Sequence, residues 1–456
     1  MPKNPSKILP LVSKHEKLRS SGINLIASEN WLSPEVRSAL ASDLAGRYHS
    51  SWYGGTKYAQ RILEETAGLA CKVFGARYAI VTALSGNLCD LAAMFAFTRE
   101  GESVAMVPKS AGGYPLGTEK FGRARLDLPL VPDTVDVDAK AAARFVAERK
   151  PALTILGSSF IVFPHPVAQL SAAAKSCGRL VYDGSHVLGL IAGGEFQKPL
   201  DEGAQVLIGS THKTLPGPQG GLVLTNSKEL HEALESYLYF IDGDIGLVDN
   251  PHPSRIAALG VALEEMLRGG KQYARATIRN AQALASALDE GGVPVKFRER
   301  GFTRSHQVLL DISDAEATKF CRALEKVGIF MDVGGRLGAA EMTHRGANIY
   351  DMESIAELMA RVYHGKIEAK AALNDKRKPS IHAQDNSRAD FVRSEFRAEW
   401  HRKPALNPAP SMHGLAKPAL HPALLKNSAR KGGARIAAET EGVAADVKRI
   451  AKSFNP

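Results

Sequence analysis

The segment Ala204–Asn226, AQVLIGSTHKTLPGPQGGLVLTN, leaves a chain like this few ways to fold. Two short apolar runs of strand character, Gln205–Gly209 and Gly221–Thr225, flank a turn rich in glycine and proline. In front of that turn stands Lys213, preceded by Ser210-Thr211-His212. A lysine in a loop is ordinarily a solvated surface residue. A lysine that forms an imine with an aldehyde is different, because it must spend part of its time unprotonated. It needs a desolvated or electropositive setting held by rigid elements. A strand end carrying hydroxyls and followed by a stiff Gly-Pro turn supplies that setting.

Upstream, Gly178–Leu190 reads GRLVYDGSHVLGL. Its apolar run Arg179–Tyr182 ends in Asp183, with His186 three residues on. An aspartate closing a strand is, alone, an N-cap or turn residue. Paired with Lys213 it says more, since a pyridinium nitrogen needs a carboxylate to stay protonated. A lysine plus an aspartate is the pairing of pyridoxal phosphate chemistry. The two residues follow short apolar strands about thirty residues apart, which suits neighbouring strands of one α/β sheet.

Further matches run in order along the chain: Leu25-Ile26-Ala27-Ser28-Glu29-Asn30, Tyr53-Gly54-Gly55, Ser85-Gly86, Gly112-Gly113, Tyr182-Asp183-Gly184-Ser185-His186 and Thr211-His212-Lys213-Thr214. With them the sequence resembles the serine hydroxymethyltransferase family, its archaeal branch most closely. The resemblance implies an α/β fold of pyridoxal phosphate fold type I, with a large, mostly parallel sheet domain and a small α+β C-terminal domain. It also implies a homodimer with a shared active site. The expected division is an N-terminal arm over 1–45, a large cofactor-binding domain over 46–253, a small domain over 254–365 and a basic, disordered tail over 366–456.

The resemblance assigns roles residue by residue. Lys213 would carry the cofactor and Asp183 would hold its ring nitrogen, with His186 and His212 beside them. Ser85 and Gly86 open a helix after the strand near Val81, where backbone amides form a phosphate cup. Tyr114 follows the paired glycines and would stack on the ring; Ser159, at the end of another strand, would face the cofactor. Tyr48 would reach the phosphate, and Tyr53 the substrate carboxylate and its proton traffic. Glu29 matches a glutamate near the substrate, although Glu29 or Asn30 could equally cap the helix that begins near Ser33-Pro34. Arg336, in Gly335-Arg336-Leu337-Gly338, would grip the α-carboxylate through two parallel hydrogen bonds, which lysine cannot supply. His306 reads as a core or hinge histidine within a strand expected over Phe302–Asp311.

One segment departs from the family. In Arg47–Tyr58, RYHSSWYGGTKY, the stretch between the two tyrosines is shortened, and the family's glutamate has no counterpart. Ser50 lies nearest, and a serine cannot act as a carboxylate acid/base near neutral pH. Pyridoxal 5'-phosphate is therefore the expected cofactor, while tetrahydrofolate stays doubtful. The leading expectation is a serine hydroxymethyltransferase-like cleavage of the Cα–Cβ bond of a β-hydroxy amino acid. A folate-independent threonine aldolase or transaldolase is the alternative, and a non-catalytic scaffold a remoter one.

Composition narrows the rest. The net charge of +10 would suggest nucleic acid, but residues 366–456 hold 18 Lys and Arg against 9 Asp and Glu. The body before them is nearly neutral, so nucleic acid is not an expected partner. No run approaches the roughly 18–20 apolar residues of a membrane helix, and Met1-Pro2-Lys3-Asn4 opens without a signal-like run. Cys71, Cys89, Cys177 and Cys321 are scattered, without metal or disulfide spacing. A cytoplasmic enzyme acting on small amino acid and aldehyde substrates, with no metal, is expected.

Overall fold

The computed structural model describes residues 6–239, 244–365 and 440–454. Residues 1–363 and 446–456 fall in one compact unit and 364–445 in a second. Of the expected tail over 366–456, residues 366–439 lie outside the described residues, while 440–453 form a helix where disorder was expected. Within the first unit its last part buries Val447, Ala451 and Phe454, and Asp446 pairs with Arg361 at 3.8 Å.

Seven strands make the main sheet: β1 Tyr78–Ile80, β2 Ser103–Met106, β3 Ala124–Asp127, β4 Leu153–Leu156, β5 Arg179–Asp183, β6 Val206–Ser210 and β7 Gly221–Thr225. Their spatial order is β1-β7-β6-β5-β4-β2-β3. All pairings are parallel except those of β7, which runs against both β1 and β6. Alternate residues feed opposite faces. Leu180, Tyr182, Leu207 and Leu224 enter one apolar cluster, while Val181, Val206, Ile208 and Val223 enter another. With helices on both sides, every residue of β4, β6 and β7 is buried, which is why these strands read as continuous apolar runs.

The 38-residue helix Pro253–Glu290 leads away from this sheet. Beyond it, Gln307–Leu309 pairs antiparallel with Arg336–Gly338, and Ile23–Asn24 pairs parallel with Ile329–Phe330. The strand expected over Phe302–Asp311 is thus much shorter. Phe302 has φ 67°, and Thr303 Oγ1 accepts from the Ser305 N–H at 3.0 Å. Such local side-chain bonding competes with a ladder.

Neither Glu29 nor Asn30 caps the next helix. Ser33 does, its hydroxyl accepting from the Val36 N–H at 3.2 Å ahead of Pro34–Leu40. A cap of this kind contributes about 1 kcal/mol.

Candidate active site

The carboxyl ends of the parallel strands converge on one edge, where α/β sheets bind ligands. Asp183 ends β5, and Lys213 lies three residues past the end of β6, the strand adjacent in the sheet. The Asp183 carboxylate is 7% exposed and accepts from the Ser185 N–H at 2.9 Å. Ser185 Oγ in turn accepts from the Ser210 N–H at 2.9 Å, tying the two strand ends together. Gly157, which follows β4, lies against Asp183. A Cβ at position 157 would stand 2.6 Å from the Asp183 Cβ, so only glycine fits without displacing the carboxylate.

Lys213 is held by its backbone. Its carbonyl accepts from Asn30 Nδ2 at 2.7 Å, and Asn30 Nδ2 also meets the Tyr273 hydroxyl at 3.0 Å. Tyr273 donates to the Thr214 carbonyl at 2.8 Å. Burial pushes the Lys213 ammonium below the usual lysine range, and Arg336 adds to this; Asp183 and Asp90 pull the other way. Among the described residues Lys213 Nζ makes no hydrogen bond or ion pair. It is a positioned amine whose ammonium form burial disfavours, the setting that imine formation with an aldehyde requires.

Three histidines surround it. His186 is buried, and its imidazole is held well below its ordinary range by burial, with Lys213 and Arg336 contributing. Its Nδ1 lies 3.1 Å from Gln307 Nε2, so Nδ1 is the acceptor and Nε2 carries the proton. His306 is fully buried, lies parallel to His186 with 5.9 Å between ring centres, and bonds the Ala27 carbonyl at 3.0 Å. Burial brings it down to about 3, and His212 down to about 4.

The helix Gly86–Phe97 starts beside β6. Ser85 caps it, accepting from the Leu88 N–H at 3.2 Å. A Cβ on Gly86 would stand 2.5 Å from Ser210 Oγ, so the helix start approaches the strand end closely, with unpaired amides at its N-terminus. Tyr114 donates from its hydroxyl to Asn87 Oδ1 at 3.1 Å, which anchors the ring to this helix start. Ser159 receives two donors on its carbonyl, Arg336 Nη1 at 2.6 Å and Gln307 Nε2 at 3.0 Å. Arg336 is steadied by Asp332, Nε to Oδ2 at 2.9 Å, and is largely buried.

Three expected residues have their contacts elsewhere. Tyr48 and Tyr53 stack on each other at 4.5 Å, both about half exposed, beside Trp52 at 86% exposure. Glu29 pairs with Arg19 and accepts from Asn24 at 3.3 Å. Conversely, Gln307, Tyr273 and Asp90 carry no motif signal in the sequence, and Asn30 signals only a cap. Asp90 leaves only its spacing, one helical turn after Gly86.

The donor set fits pyridoxal phosphate: an unpaired buried amine, a carboxylate on the adjacent strand, and a capped helix start whose glycine admits close approach. Fold and site define a fold type I pyridoxal phosphate enzyme. A family model described as serine hydroxymethyltransferase matches residues 2–359. Proteins named serine hydroxymethyltransferase from Korarchaeum cryptofilum and Pyrococcus horikoshii are 39% and 36% identical, over 77% and 81% of this chain and 89% and 93% of theirs. The crystal structure of L-threonine transaldolase from Pseudomonas fluorescens superposes with a TM-score of 0.74 at 29% identity, over 81% of this chain and 89% of that one. The chain belongs to the serine hydroxymethyltransferase family.

Proposed function

We propose that this enzyme cleaves the Cα–Cβ bond of a β-hydroxy amino acid, with the interconversion of serine and glycine as its main reaction. The carrying observation is that Asp183 ends β5 while Lys213 stands three residues past the adjacent β6, with Arg336 steadied by Asp332. When bound, pyridoxal phosphate supplies an electron sink for the pair left on Cα as the bond breaks. Ser85, Gly86 and the helix start would cradle its phosphate, and Asp183 would keep its ring nitrogen protonated. Lys213 offers the amine that attaches it, since burial lowers the cost of losing the ammonium proton. His186, oriented by Gln307, and Tyr114, tethered to Asn87, are the aromatic side chains that would pack against the cofactor ring. His212 and Ser159 border the same space. With Arg336 Nε on Asp332 and Nη1 on the Ser159 carbonyl, Nη2 is the nitrogen left to donate to a substrate α-carboxylate.

Tyr48, Tyr53 and Glu29 belong to a second part of the reading. Tyr48, Trp52, Tyr53 and Tyr58 are exposed aromatic side chains close together in sequence. Large exposed apolar groups of this kind mark interaction surfaces. In a homodimer they would face a second copy, with Tyr48 reaching the partner's phosphate and Tyr53 and Glu29 the substrate. Scattered free cysteines suit a reducing, cytoplasmic setting. No described helix is long and apolar enough to cross a membrane.

A second reading, folate-independent threonine cleavage or transaldol transfer, is favoured by the Tyr48–Tyr53 stretch. It holds Ser50 and no carboxylate to handle the substrate hydroxyl. Purified protein is mixed with serine, then threonine, and aldehyde release is followed with and without tetrahydrofolate. Serine cleavage that depends on folate is the expected result. Threonine cleavage indifferent to folate would replace the main reading by the second. Absence of both, in protein that retains the visible cofactor band, would reject both.

A further inference from the structure

Asp90 lies on the helix Gly86–Phe97, one turn past Gly86 and therefore on the same face. That face is the one packed on the end of β6, as the close approach of Gly86 to Ser210 Oγ and Ser185 Oγ shows. Asp90 is 2% exposed, and its Oδ1 is buried without a hydrogen-bond partner among the described residues. Buried polar groups ordinarily find partners, so an orphaned carboxyl oxygen beside a ligand site points to a ligand that completes it. The charged and titratable groups that face it come from several elements: Asp183 at the end of β5, Lys213 beyond β6, Tyr114 after β2, and Cys89 on its own helix.

We propose that Asp90 is a further positioning residue of the cofactor site, a carboxyl that hydrogen-bonds bound pyridoxal phosphate from the helix side while Asp183 engages it from the strand side. The proposal rests on the pyridoxal phosphate reading given above. The two acids divide the work. Asp183 accepts a backbone N–H, that of Ser185. Asp90 has no such donor, and burial, with Asp183 adding to it, holds its carboxyl well above the usual carboxylate range. That shift favours its protonated form, in which it acts as a donor and adds no second negative charge beside Lys213. At alkaline pH its ionisation would add that second charge and favour the lysine ammonium.

The test uses cofactor-loaded protein and the visible absorbance of bound pyridoxal phosphate, not turnover. Wild type, Asp90→Asn and Asp90→Ala are titrated with pyridoxal phosphate, and their spectra are followed from neutral to alkaline pH. Asp90→Ala should bind the cofactor about tenfold more weakly, the loss of one hydrogen bond. Asp90→Asn, still a donor but unable to ionise, should bind within about twofold of wild type and lack an alkaline spectral transition that wild type shows. Unchanged affinity and an unchanged pH profile in both variants, with circular dichroism confirming folded protein, would make Asp90 a core acid and overturn the proposal. A wild-type protein with no visible band would instead remove the cofactor reading itself, and the proposal with it.

Discussion

The strand edge that holds Asp183 and Lys213 and the segment Arg47–Tyr58 stand at opposite extremes of organisation. At the strand edge each functional group is fixed by something else: Asp183 by the Ser185 amide, Lys213 by Asn30, His186 by Gln307, Arg336 by Asp332. In Arg47–Tyr58, Tyr48 and Tyr53 hold mainly each other, half exposed. One region is pre-organised within a single chain. The other presents side chains that a single chain does not cover. In the proposed function, a rigid cofactor scaffold leaves the residues assigned to the substrate free to vary.

The largest effect expected from breaking the ordered side is Asp183→Ala. Aldehyde release, as kcat/KM, should fall on the order of 10²- to 10⁴-fold, the range for a group controlling a proton in catalysis. A loss under tenfold in folded protein would mean that Asp183 does not control the ring proton. Next comes Arg336→Lys, which keeps the charge and loses the fork. KM for the amino acid should rise about 10- to 100-fold, with a smaller change in kcat, as for loss of a charged hydrogen bond. An unchanged KM would show that the carboxylate is held elsewhere.

The buried side should also be the acid-sensitive one. His165 and His306 are buried, with burial lowering them to about 4 and about 3, below the unfolded value of about 6.5. As pH falls from about 6.5, the unfolded chain takes up their protons before the folded one does. Stability should therefore decline toward pH 4, each histidine contributing up to about 1.4 kcal/mol per pH unit. Urea midpoints measured between pH 7 and 5 should drop, and His165→Gln should flatten the slope. The smallest effect belongs to the exposed segment. Trp52→Ser should change the unfolding free energy by no more than about 0.5 kcal/mol, while sedimentation should show weaker self-association, as the proposed homodimer requires. A loss above about 1 kcal/mol in dilute protein would show that the segment is packed within one chain, and the contrast would fail.

Much of the ordered region was legible because its signals are local. Short apolar runs ending in Asp183 and before Lys213, a Gly-Pro turn, and Ser85-Gly86 at a helix start each announce themselves within a few residues. The partners that fix these groups are not local. Gln307 orients His186 from 121 positions away, and Asn30 reaches Lys213 across 183. No periodicity links such pairs before the chain has folded. Asp90 was hidden for another reason. On an otherwise apolar helix face a single acid looks like an exposed residue, and only its burial reveals it. The expected strand over Phe302–Asp311 shrank because side-chain bonds around Thr303 and Ser305, which residue type alone does not disclose, took over its backbone.

The pairing of Ile23–Asn24 with Ile329–Phe330 has a consequence for how the protein is made. Ile23, Leu25 and Ala27 are fully buried in the finished structure, yet Ile23's strand partner Ile329 is translated 306 residues later. At roughly 5–20 residues per second, the N-terminal segment waits about 15–60 s on the ribosome with these side chains uncovered. Asn30, which braces the backbone at Lys213, lies in the same waiting segment. Residues 23–30 thus settle only once the far part of the sequence has emerged.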